Sequence, residues 1–290
     1  MTAETCGIDT DKVIDDYVAH WNGRIGETKA VPLLRKSHRD YAISSRHVTD
    51  DMIRQFAISN GDTNPLWRDP AYAETSPWGR IIAPPMQVVS VSSATSLPQP
   101  PDVPEWYLMQ AGAIYEMERP LVHGDELDAE DVWLGITEHS KADRPHRTFL
   151  LHGERRFRDQ DGKHVGRVKL NVFATTPRKG IGAPAPQEAP ARERHRYSET
   201  ELAEIYAHYD DEIAGKLRRG AEPRYWEDVK AGDPIGKVIK GPLDVLDAAS
   251  FLVSAGAGLG YADKWMLIKD EIGVNGGVKV GHWAAQNQAG

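Results

Sequence analysis

"NGDTNPLWRDP", residues 60–70, stands between a helical segment and the run "AYAETSPWGRIIAPPM". Asn60-Gly61 is a stop of the kind that ends helices, because glycine takes the left-handed conformation without a Cβ penalty. Pro65 stiffens the chain just beyond it. Asp62 and Asn64 are therefore presented on a short, rigid turn one residue past a helix end. Local chemistry offers one explanation: both side chains can close Asx turns and cap the next stretch of backbone. A second is that a carboxylate and a carboxamide are being held in a concave place for use on a ligand. Trp67, in the middle of the knot, fits either core packing or a wall of that place.

Upstream, Thr49 reads as an N-cap for "DMIRQFAIS", with Ile53, Phe56 and Ala57 on one face and Asp51 near the positive helix end. An earlier helix is expected near Asp11 to Trp21, with Val13, Ile14 and Tyr17 on one side. Downstream, Asp69-Pro70 opens a minor helix, "DPAYAET". Pro84-Pro85 cannot lie inside a helix but can start one. The apolar and small residues from Met86 onward predict a helix buried all round. From Trp106 the character changes. "WYLMQAGAIYEMERPL", "DELDAEDVWLGITEHS", "RTFLLHGERRFRDQ" and "HVGRVKLNVFATT" are strand-like runs separated by Gly-Asp, Arg-Pro and "DQDG". Helices succeeded by a run of strands indicate an α+β fold with an antiparallel sheet. Residues 179–197 are rich in Pro, Ala and charge and read as a linker. Ser198 and Glu201 form a capping box for the helix after it. From Arg224 the chain reads as loop, strand, turn and helix, a second unit too short to close a sheet like the first.

The composition excludes several classes. The chain has 290 residues and a net charge of −8, so it lacks the basic field that nucleic acid requires. No apolar run reaches the roughly 18–20 residues of a membrane span, and the polar, acidic N-terminus is not a signal peptide. One cysteine, Cys6, excludes an internal disulfide and a cysteine-based zinc site. A cytoplasmic setting is the expectation.

"FAISNGDTNPLWRDPAYA" resembles the motif of the MaoC-like hydratases and dehydratases. These share the hot-dog fold, an antiparallel sheet wrapped around one long central helix. Gly61, Asp62, Asn64, Pro65 and Leu66 match the motif in order and spacing. "WGRIIAPPM" resembles the segment leading into the central helix, and "RFRDQDGKHVGRVKLNVFATTP" the last hairpin and strand. The resemblance covers most of residues 10–178. "YWEDVKAGD" with "GPLDVLDAASF" resembles, less closely, the opening of a second such unit, as in double hot-dog acyl dehydratases. It implies a MaoC-like domain over 1–178, the linker over 179–197, and a helix plus an incomplete second unit over 198–290. It also implies action on 2-enoyl or 3-hydroxyacyl thioesters of CoA or acyl carrier protein, within lipid metabolism. Coenzyme A would enter only as part of the substrate, with no other cofactor. In the family the aspartate takes a proton from water, the asparagine helps hold that water, and a histidine completes the acid–base pair. A backbone N–H at the start of the central helix binds the thioester oxygen. The implied catalytic residues are Asp62 and Asn64. With the whole pattern around them, a thioester site comes ahead of a mere Asx turn.

The chain departs from the motif twice. Trp67 stands where the histidine belongs, and indole has a donor N–H but no acid–base function near neutral pH. Pro84-Pro85 stands where active units carry His-Gly, and Pro85 has no N–H to give. "APP" there resembles the N-terminal, acyl-binding halves of MaoC dehydratases. The implied substrate-binding residues are thus Trp67, Gly79 and Met86, Met86 offering an N–H one residue late. These departures support an alternative: a non-catalytic acyl-thioester-binding subunit that assists a catalytic MaoC-like partner. A hot-dog unit leaves a sheet edge exposed, so a homo-oligomer or a second MaoC-like subunit is expected. His139, His146, His152 and His164 show no paired ligand spacing, and no metal is expected. "HGD" at residues 123–125 reads as a turn. "GAGLG" at residues 256–260 lacks the strand and acidic partner of a dinucleotide loop. Tyr261, Trp265 and His282 are weak pocket candidates.

Overall fold

The computed structural model describes residues 9–31, 45–91, 97–98, 100–103, 105–178, 195–218, 224–234 and 236–254. Five antiparallel strands form one sheet: β1 (Thr28–Ala30), β2 (Tyr107–Met117), β3 (Asp128–Glu138), β4 (His146–Arg158) and β5 (His164–Pro177), in the order β1-β3-β4-β5-β2. With its helices this is the α+β fold with an antiparallel sheet that the sequence implies. Alternation builds the two central strands. Phe149, Leu151 and Phe157 on β4 point to the same face as Val168, Leu170, Val172 and Ala174 on β5, and all are buried. Register places Phe149 opposite Ala174 and Leu151 opposite Val172, so large and small side chains interdigitate. The charged members of this face are matched. Arg155, 1% exposed, donates to both carboxylate oxygens of Asp131 on β3, at 2.7 and 2.8 Å.

Two helices reach the sheet from the N-terminal part. α1 (Thr10–Asn22) starts at Asp9, whose carboxylate accepts from the Lys12 N–H. It lays Ile14, Tyr17 and Trp21 against Trp133, Phe149 and Trp106. At its end β3 has a bulge at Gly135, with φ +122°, where a Cβ would lie 3.0 Å from Ile25. The Asn22 amide satisfies the freed backbone there. It accepts from the Ile136 N–H at 2.8 Å and donates to the Ile136 carbonyl at 3.0 Å. α2 (Asp50–Ser59) is capped by Thr49, as expected, and turns Ile53, Phe56 and Ala57 inward. α3 (Pro70–Glu74) begins at Pro70 behind its Asp69 cap.

The segment after Pro84 is the centre of the core. A 3-10 turn, Pro85–Gln87, runs into α4 (Val88–Val91), and Val88 to Val91 are all buried. Val88 and Val91 share one cluster with Ile53 of α2 and with Phe157, Val165 and Val168 of the sheet. Beyond the sheet, α5 (Glu199–Ile213) has the full capping box of Ser198 and Glu201. α6 (Val245–Ser254) packs near α2, and its last carbonyl accepts from the Ser90 hydroxyl of α4 at 2.7 Å.

One expected element is absent from the described residues. The strand read between Arg224 and α6 is not there. Its backbone finds side chains instead of a ladder: the Ile239 N–H donates to His208 Nε2 at 3.1 Å, and the Gly241 N–H to the Tyr209 hydroxyl at 2.9 Å. β1 carries no sequence signal, because three exposed residues, Thr-Lys-Ala, have no alternation to read. Most of the linker and residues 256–260, 261, 265 and 282 lie outside the described residues.

Candidate functional site

α2 ends in a Schellman arrangement. Gly61, at φ +61°, donates to the Ile58 carbonyl at 2.9 Å, and Asp62 donates to the Ala57 carbonyl at 2.8 Å. These bonds fix where Asp62 emerges. Its Oδ1 accepts the Asn64 N–H at 2.9 Å, and its Oδ2 accepts the Trp67 indole N–H, also at 2.9 Å. Asn64 Oδ1 accepts the Leu66 N–H at 3.1 Å and so caps the 3-10 turn Pro65–Trp67. The knot is a pair of Asx turns, Asp62 and Asn64 each using Oδ1 to satisfy the N–H two residues on. Asp62, Asn64 and Trp67 are all half-buried. In this state both oxygens of Asp62 are engaged within the knot.

A cavity of about 300 Å³ lies beside it. It is lined by Trp67, by residues 82–85 and by residues 117–121, which run on from the end of β2. Ile82, Pro84, Pro85, Met117 and Leu121 make the lining mainly apolar. Trp67 also packs on the core cluster that holds Ile53 and Val88, so the same side chain lines the cavity and fills the core. Asp62 and Asn64 do not line the cavity; Asp62 meets its wall through the Trp67 indole. Gly79 lies apart in an exposed turn, its N–H donating to the Ser76 carbonyl at 3.0 Å, with open space where a Cβ would be. Met86 sits in the 3-10 turn at the helix start, its side chain well exposed and outside the lining. At that start Pro85 has no N–H, and the Gln87 N–H is taken by the Pro84 carbonyl at 2.9 Å.

The Arg119 guanidinium on the rim is engaged by two carboxylates. Arg119 donates to both oxygens of Asp125, at 2.7 and 2.9 Å, and to Asp159 at 3.1 Å. Burial would push the Asp159 carboxyl up, but the Lys163 N–H, the Arg119 guanidinium and the Asp161 N–H together hold it below the usual carboxylate range. The "HGD" turn is thus a turn, with Gly124 at φ +90°, and it is also the anchor of Arg119. His139, His146, His152 and His164 are not among the residues that line the cavity; His152 Nδ1 meets Asn171 Oδ1 at 2.8 Å, and His164 faces Glu118 of the lining at 3.7 Å.

Sequence reasoning missed the other half of the knot's surroundings. The Thr63 hydroxyl donates to Glu212 Oε1 of α5 at 2.9 Å and accepts from Arg218. Lys240 donates to the Gly61 carbonyl at 2.7 Å and to both oxygens of Glu212. These groups lie 149 to 179 positions from the knot, and no local pattern marks them.

Compared with known proteins, residues 39–168 match the family model described as FAS1-like, dehydratase domain region. Among curated proteins, none matches the chain significantly by sequence. Solved structures show partial likeness. A monoamine oxidase regulatory protein from Archaeoglobus fulgius is 21% identical, with TM-score 0.39, over 53% of this chain and 92% of its own. A chain of the ChsH1-ChsH2 complex from Mycobacterium tuberculosis is 16% identical, with TM-score 0.43, over 62% of this chain and 98% of its own. The R-hydratase PhaJ1 from Pseudomonas aeruginosa is 22% identical, with TM-score 0.33, over 57% of this chain and 92% of its own.

Proposed function

We propose that this chain is a member of the MaoC-like hot-dog family of hydratases and dehydratases, and the acyl-holding half of an enzyme acting on 2-enoyl or 3-hydroxyacyl thioesters of CoA; the match of residues 39–168 to a dehydratase-region model and the antiparallel sheet support it. Its partner is a second MaoC-like unit that supplies the acid–base pair. In this reading residues 1–178 form the thioester-binding domain, 179–197 the linker, and 198–290 a helix with a partial second unit. The observation that carries it is the double use of Trp67, as cavity wall and as the donor that occupies Asp62.

The chemistry explains why this arrangement suits holding better than turnover. Hydration puts hydroxide on C3 and a proton on C2 of the enoyl group. One group must take a proton from water, one must deliver a proton to C2, and a fixed donor must receive the charge that builds on the thioester oxygen. Indole can donate a hydrogen bond but cannot exchange a proton near neutral pH. Pro85 cannot donate at the helix start. The cavity, by contrast, suits an acyl tail. It is about twice the ~150 Å³ apolar cavity that takes a benzene ring, which gives room for roughly a dozen carbon atoms.

A second reading is favoured by one contact. Asp62 is a single indole hydrogen bond away from the cavity wall, so movement of Trp67 would free its carboxylate to act as the base. Titration of the isolated chain with dodecanoyl-CoA, beside a hydration assay on trans-2-dodecenoyl-CoA, separates the readings. The acyl-holding role predicts binding without turnover. Turnover by the isolated chain that falls about 10²–10⁴-fold in Asp62→Asn establishes the second. Absence of binding overturns both.

A further inference from the structure

The turn that carries Asp62 is held from outside the sheet domain. Two stretches far from it in sequence converge on it. From α5, Glu212 accepts the Thr63 hydroxyl at 2.9 Å. From the turn five residues past α5, Arg218 donates to that hydroxyl. From the loop before α6, Lys240 reaches the Gly61 carbonyl at 2.7 Å while pairing with Glu212 at 2.8 and 2.9 Å. The Glu212 side chain is only 9% exposed, so this is no ordinary surface pair, the kind that contributes little. Removing one partner would leave the other charge poorly solvated.

The loop bearing Lys240 is itself laced to α5. His208 and Tyr209 take the Ile239 and Gly241 N–H groups, and the Tyr209 ring lies 5.6 Å beneath the Lys240 ammonium. α5 and residues 239–241 thus act as one piece. What that piece grips is the left-handed corner, Gly61, and the residue between the two Asx side chains, Thr63. Asp62 lies between the two gripped residues, and Trp67 hangs from Asp62.

We infer that Glu212 and Lys240 are positioning residues, a clamp by which the C-terminal segment fixes the Gly61–Asn64 turn and, through Asp62, the orientation of Trp67 at the cavity. Neither lines the cavity. The clamp is independent of the proposed function; only its consequence for ligand affinity rests on that reading.

Hydrogen–deuterium exchange of the full chain tests it, comparing wild type with Glu212→Gln, Lys240→Met and Lys240→Arg. Lys216→Ala, which removes an exposed pair with Asp211, is the control. The Asp62 and Asn64 amides, bonded to Ala57 and to Asp62 itself, are the reporters. The clamp predicts that they exchange at least about tenfold faster in Glu212→Gln and Lys240→Met, the scale of one charge-assisted hydrogen bond. Lys240→Arg restores slow exchange, Lys216→Ala leaves it unchanged, and β4 and β5 are unaffected in all four variants. Because Glu212→Gln could also loosen α5, Lys240→Met reaches the same turn from the loop side. Unchanged exchange of the turn in both overturns the clamp, as does equal loosening of the sheet. Dodecanoyl-CoA affinity, measured on the same proteins, should fall in step with the exchange. If wild type binds no acyl-CoA, the proposed function fails while the exchange result still decides the clamp.

Discussion

Replacing Trp67 by histidine restores the residue that the family motif carries and removes a wall of the cavity, so it sets the two readings of the site against each other. Trp67 is half-buried, lines the cavity and packs on the central core cluster. Exchanging indole for imidazole loses apolar contact worth on the order of 1–3 kcal/mol by area. At 1.4 kcal/mol per decade, acyl-CoA binding weakens roughly 5- to 150-fold. The loss should grow with acyl length, because only a chain that fills the cavity reaches the indole. Isothermal titration of wild type and Trp67→His with butyryl-CoA and dodecanoyl-CoA measures this, with circular dichroism confirming that the variant is folded. The expected result is a small change for the short chain and a large one for the long. Equal affinities of both proteins for dodecanoyl-CoA would refute the wall argument and leave Trp67 as core filling. A gain of hydratase activity in Trp67→His would place a working acid–base pair in this chain.

Other consequences are open to direct measurement. Gly61→Ala should destabilise by about 1–2 kcal/mol in urea unfolding, from the positive φ alone, since nothing nearer than the Lys240 side chain at 3.9 Å would meet the new Cβ. Arg155→Met should lose about 3–5 kcal/mol, because it leaves Asp131 charged and buried; Arg155→Met with Asp131→Leu should recover much of that. Glu212 gives a pH signature. Burial would raise its pKa, but the Lys240 and Thr63 hydrogen bonds and the charges of Lys240 and Arg218 lower it below the ordinary 4.5. A folded-state pKa below the unfolded one gives stability that is present above about 4.5 and lost as pH falls through the folded value. The stability gap between wild type and Glu212→Gln should therefore narrow on acidification below that point; a gap constant down to the acid transition would contradict it.

The legible parts of this molecule are those that repeat or punctuate. Four of the five strands announce themselves as strand-like runs cut by Gly-Asp, Arg-Pro and "DQDG", and α2, α3 and α5 through Thr49, Asp69-Pro70 and the Ser198–Glu201 box, because caps and turns are local chemistry. β1 escapes because three exposed residues carry no pattern, and the sequence suggests a strand near Lys240 because it does not show whether a ladder partner exists. At the site, the spacing of Gly61, Asp62, Asn64 and Pro65 exposes the knot and its Asx turns. It does not show that Trp67 takes Asp62's second oxygen while lining the cavity. Nor does it show that Gly79 and Met86 lie outside the lining, since a motif fixes order along the chain and not the side of a turn that faces a ligand. Glu212 and Lys240 are invisible for a different reason. A contact between residues 179 positions apart, as from Lys240 to Gly61, leaves no trace in either neighbourhood.

The central claim is that the acyl chain of a thioester lies against Trp67, and a crystal structure of the chain grown with dodecanoyl-CoA tests it most directly. The account predicts alkyl density running between Trp67 and Met117 toward Ile82, with the indole N–H still on Asp62 and no water held by Asp62 at the acyl C3. An acyl chain bound elsewhere, or Trp67 swung away with Asp62 holding water against C3, would contradict it.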